Sequence, residues 1–136
     1  MPRPSLLGRS FPLVALVALS AHVVMAQDPV KVAPETYKVT SENEYVRVLD
    51  VHIKASAKVP MHSHSSGYVA VALAPCKVRF ASPEGKSQDV ELKAGEAMWR
   101  DAESHSAENI GTSECHALNV EVKAATAKKG TSPKAM

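Results

Sequence analysis

Between residues 37 and 123 apolar and polar positions alternate with a period of two, and turn residues cut the alternation into short pieces. Residues 45–53 (YVRVLDVHI) are rich in β-branched side chains and lack helical spacing. Residues 68–73 (YVAVAL) form a second run that stops at Ala74 and Pro75, and residues 76–80 (CKVRF) alternate cleanly. Ser82-Pro-Glu-Gly85 reads as a hairpin turn, because Pro suits its second position and Gly its last. Residues 90–93, 97–100 and 115–123 supply further strands, with breaks at Ala94-Gly95 and around 109–113. Eight or so short strands at such close spacing predict an all-β, antiparallel sandwich or barrel.

The ends of the chain follow another pattern. Residues 1–26 carry Arg3 and Arg9, no acidic residue, an apolar run over 11–21, and small residues at Val24 and Ala26. This is the plan of a secretory signal peptide cleaved before Gln27, and the run is short for a membrane anchor. Residues 27–36 read as an extended lead-in to the barrel domain at 37–123. Residues 124–136 (AATAKKGTSPKAM) mix small, basic and turn-forming residues without period and read as a disordered tail. The expected setting is therefore export, to a periplasm or beyond.

Composition changes that picture in two respects. The 136 residues hold 16 Lys and Arg against 14 Asp and Glu, but Arg3 and Arg9 leave with the leader. The mature chain is then formally neutral, without the clustered basic footprint of a nucleic-acid-binding domain, and no membrane partner is expected after cleavage. Aromatic residues make up only 4% of the chain, so Val, Ala and Leu must build most of the core. Cys76 and Cys115 both remain after cleavage. In an oxidising compartment they pair or stay as two independent buried thiols, and sequence alone gives no distance to decide.

Candidate chemistry gathers on histidine. His62 and His64 lie two apart, so in a strand both imidazoles project from one face and can converge on one ion. Two surface histidines beside the turn Ser65-Ser66-Gly67 would look the same. His105 stands about forty residues on, followed by Asn109 and Gly111. There is no G-x-S-x-G and no phosphate-binding glycine loop.

Pro60-Met-His-Ser-His64, then an apolar strand, then Gly95…His105-x-x-x-Asn109-x-Gly111, resembles the two motifs of the cupin superfamily. Those motifs run G-x5-H-x-H-x3–4-E-x6-G and G-x5-P-x-G-x2-H-x3-N. The resemblance covers roughly residues 40–123 and is closest to small, single-domain, quercetin-dioxygenase-like cupins. It implies a jelly-roll barrel, also called a double-stranded β-helix. It also implies a divalent transition metal (Fe, Ni, Zn, Mn or Cu) held by His62, His64 and His105, a small-molecule ligand or substrate, and a homodimer as one oligomeric form. The chain departs from the motifs at several places. Ser56 and Pro75 stand for glycines, Tyr68 for the glutamate ligand, and Asp101 and Glu103 for the proline and glycine. His105 also comes one residue early.

Three imidazoles without a carboxylate leave open positions and a more electrophilic ion, as in the family's dioxygenase-type members. The same losses suit a non-catalytic cupin that binds a ligand or acts as an accessory protein. No catalytic residue is assigned. Tyr68 reads as an aromatic of the barrel wall, or as a phenol near the metal. Asn109 reads as the residue that holds its own turn. Glu108 points away from His105, and Glu121, between Val120 and Val122, reads as an outward charge. His52 shares a strand face with Asp50 and reads as a half-exposed imidazole beside a carboxylate. His116 and Cys115 point to opposite faces and cannot share an ion. For Trp99 and Arg100 the default expectations are core packing and a surface charge.

Overall fold

A computed structural model describes residues 27–123 of the chain; the expected leader and tail lie outside the described residues. One short helix, α1 (Pro29–Val32), precedes nine strands: β1 (Tyr37–Glu42), β2 (Val46–Ile53), β3 (Lys58–His64), β4 (Tyr68–Ala72), β5 (Cys76–Ala81), β6 (Ser87–Leu92), β7 (Ala97–Arg100), β8 (Glu103–Asn109) and β9 (Cys115–Val122). They form two antiparallel sheets, one in the order β1-β2-β9-β4-β7 and the other β3-β8-β5-β6. Neighbours from distant parts of the sequence, such as β2 with β9 and β3 with β8, mark the jelly-roll type of closure expected above.

Between the sheets lies the core. Leu49, Val51 and Ile53 from β2 meet Val59 from β3, Val78 from β5 and Ala107 from β8, all nearly sealed from water. Each branched side chain buried in this way stabilises the fold by roughly 1.5–3 kcal/mol. Cys76 and Cys115 are joined in a disulfide with Cα atoms 4.6 Å apart, which ties β5 of one sheet to β9 of the other. That pairing answers the question the sequence left open. The hairpin turn after β5 forms as expected, with Gly85 at φ +83° and its N–H donating to the Ser82 carbonyl.

Residues 27–36 are not an extended lead-in. Asp28 caps α1 by accepting a hydrogen bond from the Val30 N–H, and Pro29 occupies the first turn, where its missing N–H costs nothing. The helix seats Pro29 and Ala33 against the core, and the Gln27 carbonyl accepts a hydrogen bond from the Ser63 N–H. This segment is a part of the domain and is attached to the strand that bears the histidine pair.

Ser56, at the position of a family glycine, takes the left-handed backbone such a glycine would supply, with φ +63°. Its N–H donates to the Asn109 carbonyl, so the strained turn is held by the end of β8, the neighbour of β3 in the same sheet. Gly67 serves by closeness instead. The indole of Trp99 lies so near that a Cβ there would fall 2.3 Å from the ring.

Candidate metal centre

The inward direction of the histidine pair depends on a defect in β3. Val59 faces the core, and strict alternation from it would turn Met61 and Ser63 inward and both histidines out. The pairing of β3 with β8 shifts between Val59 and His62. Pro60, which has no N–H to give a ladder, lies within that bulge. The extra residue reverses the phase, and His62 and His64 face inward, buried to 0% and 2% exposure. His105 lies directly opposite His62 on β8, inside the strand where a strand end was expected, and it is equally buried.

Three imidazoles thus converge. Ring centroids stand 5.1 Å apart for His62–His64, 4.7 Å for His62–His105 and 5.2 Å for His64–His105. One nitrogen from each lies within 4.8 Å of the others. The remaining contacts set which nitrogens are free. His62 Nδ1–H donates to the Pro60 carbonyl at 2.8 Å, and the Tyr37 hydroxyl donates to its Nε2 at 3.2 Å. His64 Nδ1–H donates to Glu121 Oε1 at 2.9 Å and leaves Nε2 without a partner among the described residues. Neither nitrogen of His105 has a hydrogen-bond partner among the described residues; Glu103 Oε1 stands 3.2 Å from Nδ1 but out of line. Buried imidazole nitrogens in native proteins are nearly always satisfied, so this cluster of lone pairs fits an ion.

Glu121 reverses its expectation as an outward charge. On β9 the inward phase is Cys115, Ala117, Asn119 and Glu121, while Leu118 and Val120 lie on the other face. The outward phase, His116, Leu118, Val120 and Val122, carries the larger apolar side chains, and so alternation alone picked the wrong one. Glu121 accepts from His64 on one oxygen and from Arg47 Nε on the other at 2.6 Å; Arg47 Nη2 then reaches Asp28 at 2.6 Å. Burial by itself would raise the Glu121 pKa, yet the hydrogen bonds from His64 and Arg47 hold it below the ordinary carboxylate range. An ionised Glu121 fixes the Nδ1–H tautomer of His64 and aims Nε2 at the cluster. Asp28 therefore joins the helix cap to the site.

Tyr37 is the other residue that sequence reasoning missed. It is buried, its ring packs 5.2 Å from His62, and burial foremost raises its pKa, so the phenol keeps its proton. Tyr68 is buried, and its ring lies 4.4 Å from that of His64. The defaults for Trp99 and Arg100 are exchanged: Trp99 is 53% exposed and Arg100 only 9%. Arg100 lies over Phe80 at 4.1 Å and donates to Glu103. Asn109 does hold its turn, donating to the Ile53 and Ser113 carbonyls and accepting from the Gly111 N–H.

Desolvation foremost lowers the pKa of His62 and pushes that of His105 down to about 2, with the neighbouring histidines adding to the effect. Both rings are consequently neutral at neutral pH, the state a metal ligand needs. Beside His105 lies a cavity of about 50 Å³, lined mainly by apolar side chains including Val78, Phe80 and Met98, with Tyr68 and Arg100.

His52 and His116 take no part in this cluster. They lie on the outer face of β2 and β9, stacked at 4.0 Å. His52 donates to Asp50 and Glu114, and His116 to Asp50. Glu108 is also turned away, 3.9 Å from Lys58.

No protein-family model matches the sequence, and no curated protein does so either. Solved structures do match. A cupin domain from Bordetella pertussis aligns at TM-score 0.59 and 27% identity over 65% of this chain and 92% of its own. A protein with a double-stranded β-helix domain from Klebsiella pneumoniae aligns at TM-score 0.51 and 19% identity, covering 63% and 74%. A cupin family protein from Methanocaldococcus jannaschii aligns at TM-score 0.52 and 11% identity, covering 64% and 78%. The last two speak for the fold alone.

Proposed function

The chain is a cupin by fold, and on that premise we propose that it binds one divalent transition metal ion through His62, His64 and His105 and acts as an exported oxygenase-type enzyme on a small molecule. The observation that carries this reading is the set of buried, unpartnered nitrogens on His64 and His105. Three neutral imidazoles suit Zn, Ni, Cu or Fe(II). When bound, the ion supplies Lewis acidity and open positions for a chelating ligand.

The protein's own residues have separable tasks. Glu121 and the Pro60 carbonyl each hold one Nδ1–H, so His64 and His62 present Nε2 inward. Tyr37 has its hydroxyl proton on the His62 nitrogen; with that nitrogen engaged, the proton is free to be donated to a ligand at the site. Tyr68, Phe80 and the apolar wall exclude water on the side of the cavity. Arg100 keeps a buried cation near that wall, with its charge answered by Glu103.

Two observations favour the second reading, a cupin that binds without turnover. The cavity of about 50 Å³ holds only a very small ligand, and Tyr68 replaces the family's carboxylate. Metal analysis and Co(II) absorption of the purified protein test the first reading. Wild type should show a visible Co(II) band that falls by one bound equivalent in His105→Gln and is unchanged in Ser63→Ala. No band and no stoichiometric metal in wild type would sink it. Oxygen uptake with diketones, flavonols and thiols then separates turnover from binding.

A further inference from the structure

The geometry points to a second metal site on the outer face of the five-stranded sheet, formed by His52, His116 and Asp50 with Glu114 beside them, that takes a borderline divalent ion such as Zn(II). It does not depend on the buried centre. His52 and His116 stand directly opposite in the β2–β9 register, and Asp50 shares their face two residues before His52. One donor atom from each of the three lies within 4.8 Å of the others.

Donor spacing is already close to that of a bound ion. Asp50 Oδ1 lies 2.7 Å from His116 Nε2, Asp50 Oδ2 lies 3.2 Å from His52 Nε2, and Glu114 Oε1 lies 2.8 Å from His52 Nδ1. A tetrahedral Zn(II) with ligands near 2.0–2.2 Å sets its donors about 3.3 Å apart, so small side-chain rotations suffice. The ion would take the place of the protons that Asp50 now shares with the two imidazoles, releasing them to solvent. Two imidazoles and a carboxylate match zinc's preference for nitrogen with harder oxygen.

The backbone beneath is fixed. The His116 carbonyl accepts from both the Leu73 and Ala74 N–H groups at 2.8 and 3.1 Å. The preceding residue, Cys115, is disulfide-bonded to Cys76, and the His52 N–H donates to the Thr36 carbonyl. All three side chains are part-exposed, at 38% for His52, 33% for His116 and 27% for Asp50, so an ion has a path in from solvent.

Zn(II) titration of the metal-stripped protein by calorimetry tests this. Wild type should bind an equivalent that is absent in His116→Gln and in Asp50→Asn and retained in His105→Gln, whose fold is checked by circular dichroism. Glu114→Gln should weaken it by about ten-fold. In parallel, imidazole ¹H–¹⁵N correlations of His52 and His116 should shift as Zn(II) is added. If His116→Gln binds as many equivalents as wild type with the same affinity, or if those two imidazoles do not respond, the surface site is overturned. A single equivalent lost in His116→Gln but kept in His105→Gln would support the surface site and overturn the buried one instead.

Discussion

The molecule contains two cross-strand histidine pairs built on the same plan and turned in opposite directions. His62 faces His105 across β3 and β8, with His64 two residues on; His52 faces His116 across β2 and β9, with Asp50 two residues back. The inner set is sealed and short of partners, and desolvation holds His62 and His105 neutral. The outer set is half-exposed and saturated by carboxylates; the hydrogen bond that His52 donates to Glu114 foremost raises the His52 pKa above its ordinary value. Identical side chains at identical spacing thus differ in chemistry because of strand phase. For the inner set, that phase is set by one bulge at Pro60.

The largest effect expected of a single substitution comes from removing the carboxylate behind the inner set. Glu121→Ala leaves Arg47 with Asp28 as its one carboxylate partner and the buried His64 Nδ1–H without an acceptor, and should cost about 3 kcal/mol in urea unfolding. Asp50→Asn, its counterpart outside, should cost less than about 1 kcal/mol, since exposed pairs contribute little. Equal losses would erase the distinction. Removing the disulfide with Cys76→Ala and Cys115→Ala strains both sets at once, because Cys115 adjoins His116 and β9 carries Glu121. Its loop, with a sequence separation of 39, makes the expected loss about 4 kcal/mol at most, read in the same assay.

Acid should sharpen the comparison by sign. In metal-free protein, His62 and His105 have folded pKa values below those of the unfolded chain. As pH falls below about 6.5 the unfolded chain takes up protons that the fold refuses, so stability drops by ~1.4 kcal/mol per pH unit per histidine. His52 has the opposite slope: its folded pKa is raised, so its stabilisation is full below about 6.5 and fades as pH rises through the folded value. Histidine-resolved NMR titration should find His52 charging first on acidification and His105 last. For the loaded protein, metal should stay bound to lower pH than an ordinary imidazole would allow. Tyr37→Phe should cost about 1 kcal/mol, the net value of the hydrogen bond to His62.

Much of this was legible beforehand, for reasons tied to local spacing. Strand periods, the Ser82–Gly85 hairpin, the H-x-H pair and the Asn109 turn all depend on neighbours within a few residues, so the pattern carries them. The rest depends on partners far along the chain. Nothing near Tyr37 indicates that it meets His62, and nothing around Glu121 says which face of β9 is the inside. Arg100 and Trp99 misled for a related reason. On edge strand β7 the inner neighbour is Glu103, which lets a cation be buried, while the large ring has Gly67 to lie on outside. The bulge was invisible because Pro60 fits a strand edge as readily as a defect.

The contact of Trp99 with Gly67 has an optical consequence. Trp99 is the chain's sole indole, and the glycine beneath it lies in the three-residue link between His64 and Tyr68. Half in water and half against that link, the ring emits from a place where solvent access changes as soon as the link lifts. The molecule therefore carries its own fluorophore at the rim of the inner histidines. Emission wavelength and iodide quenching become a label-free record of when that rim opens, whether by unfolding, acid or the arrival of a ligand.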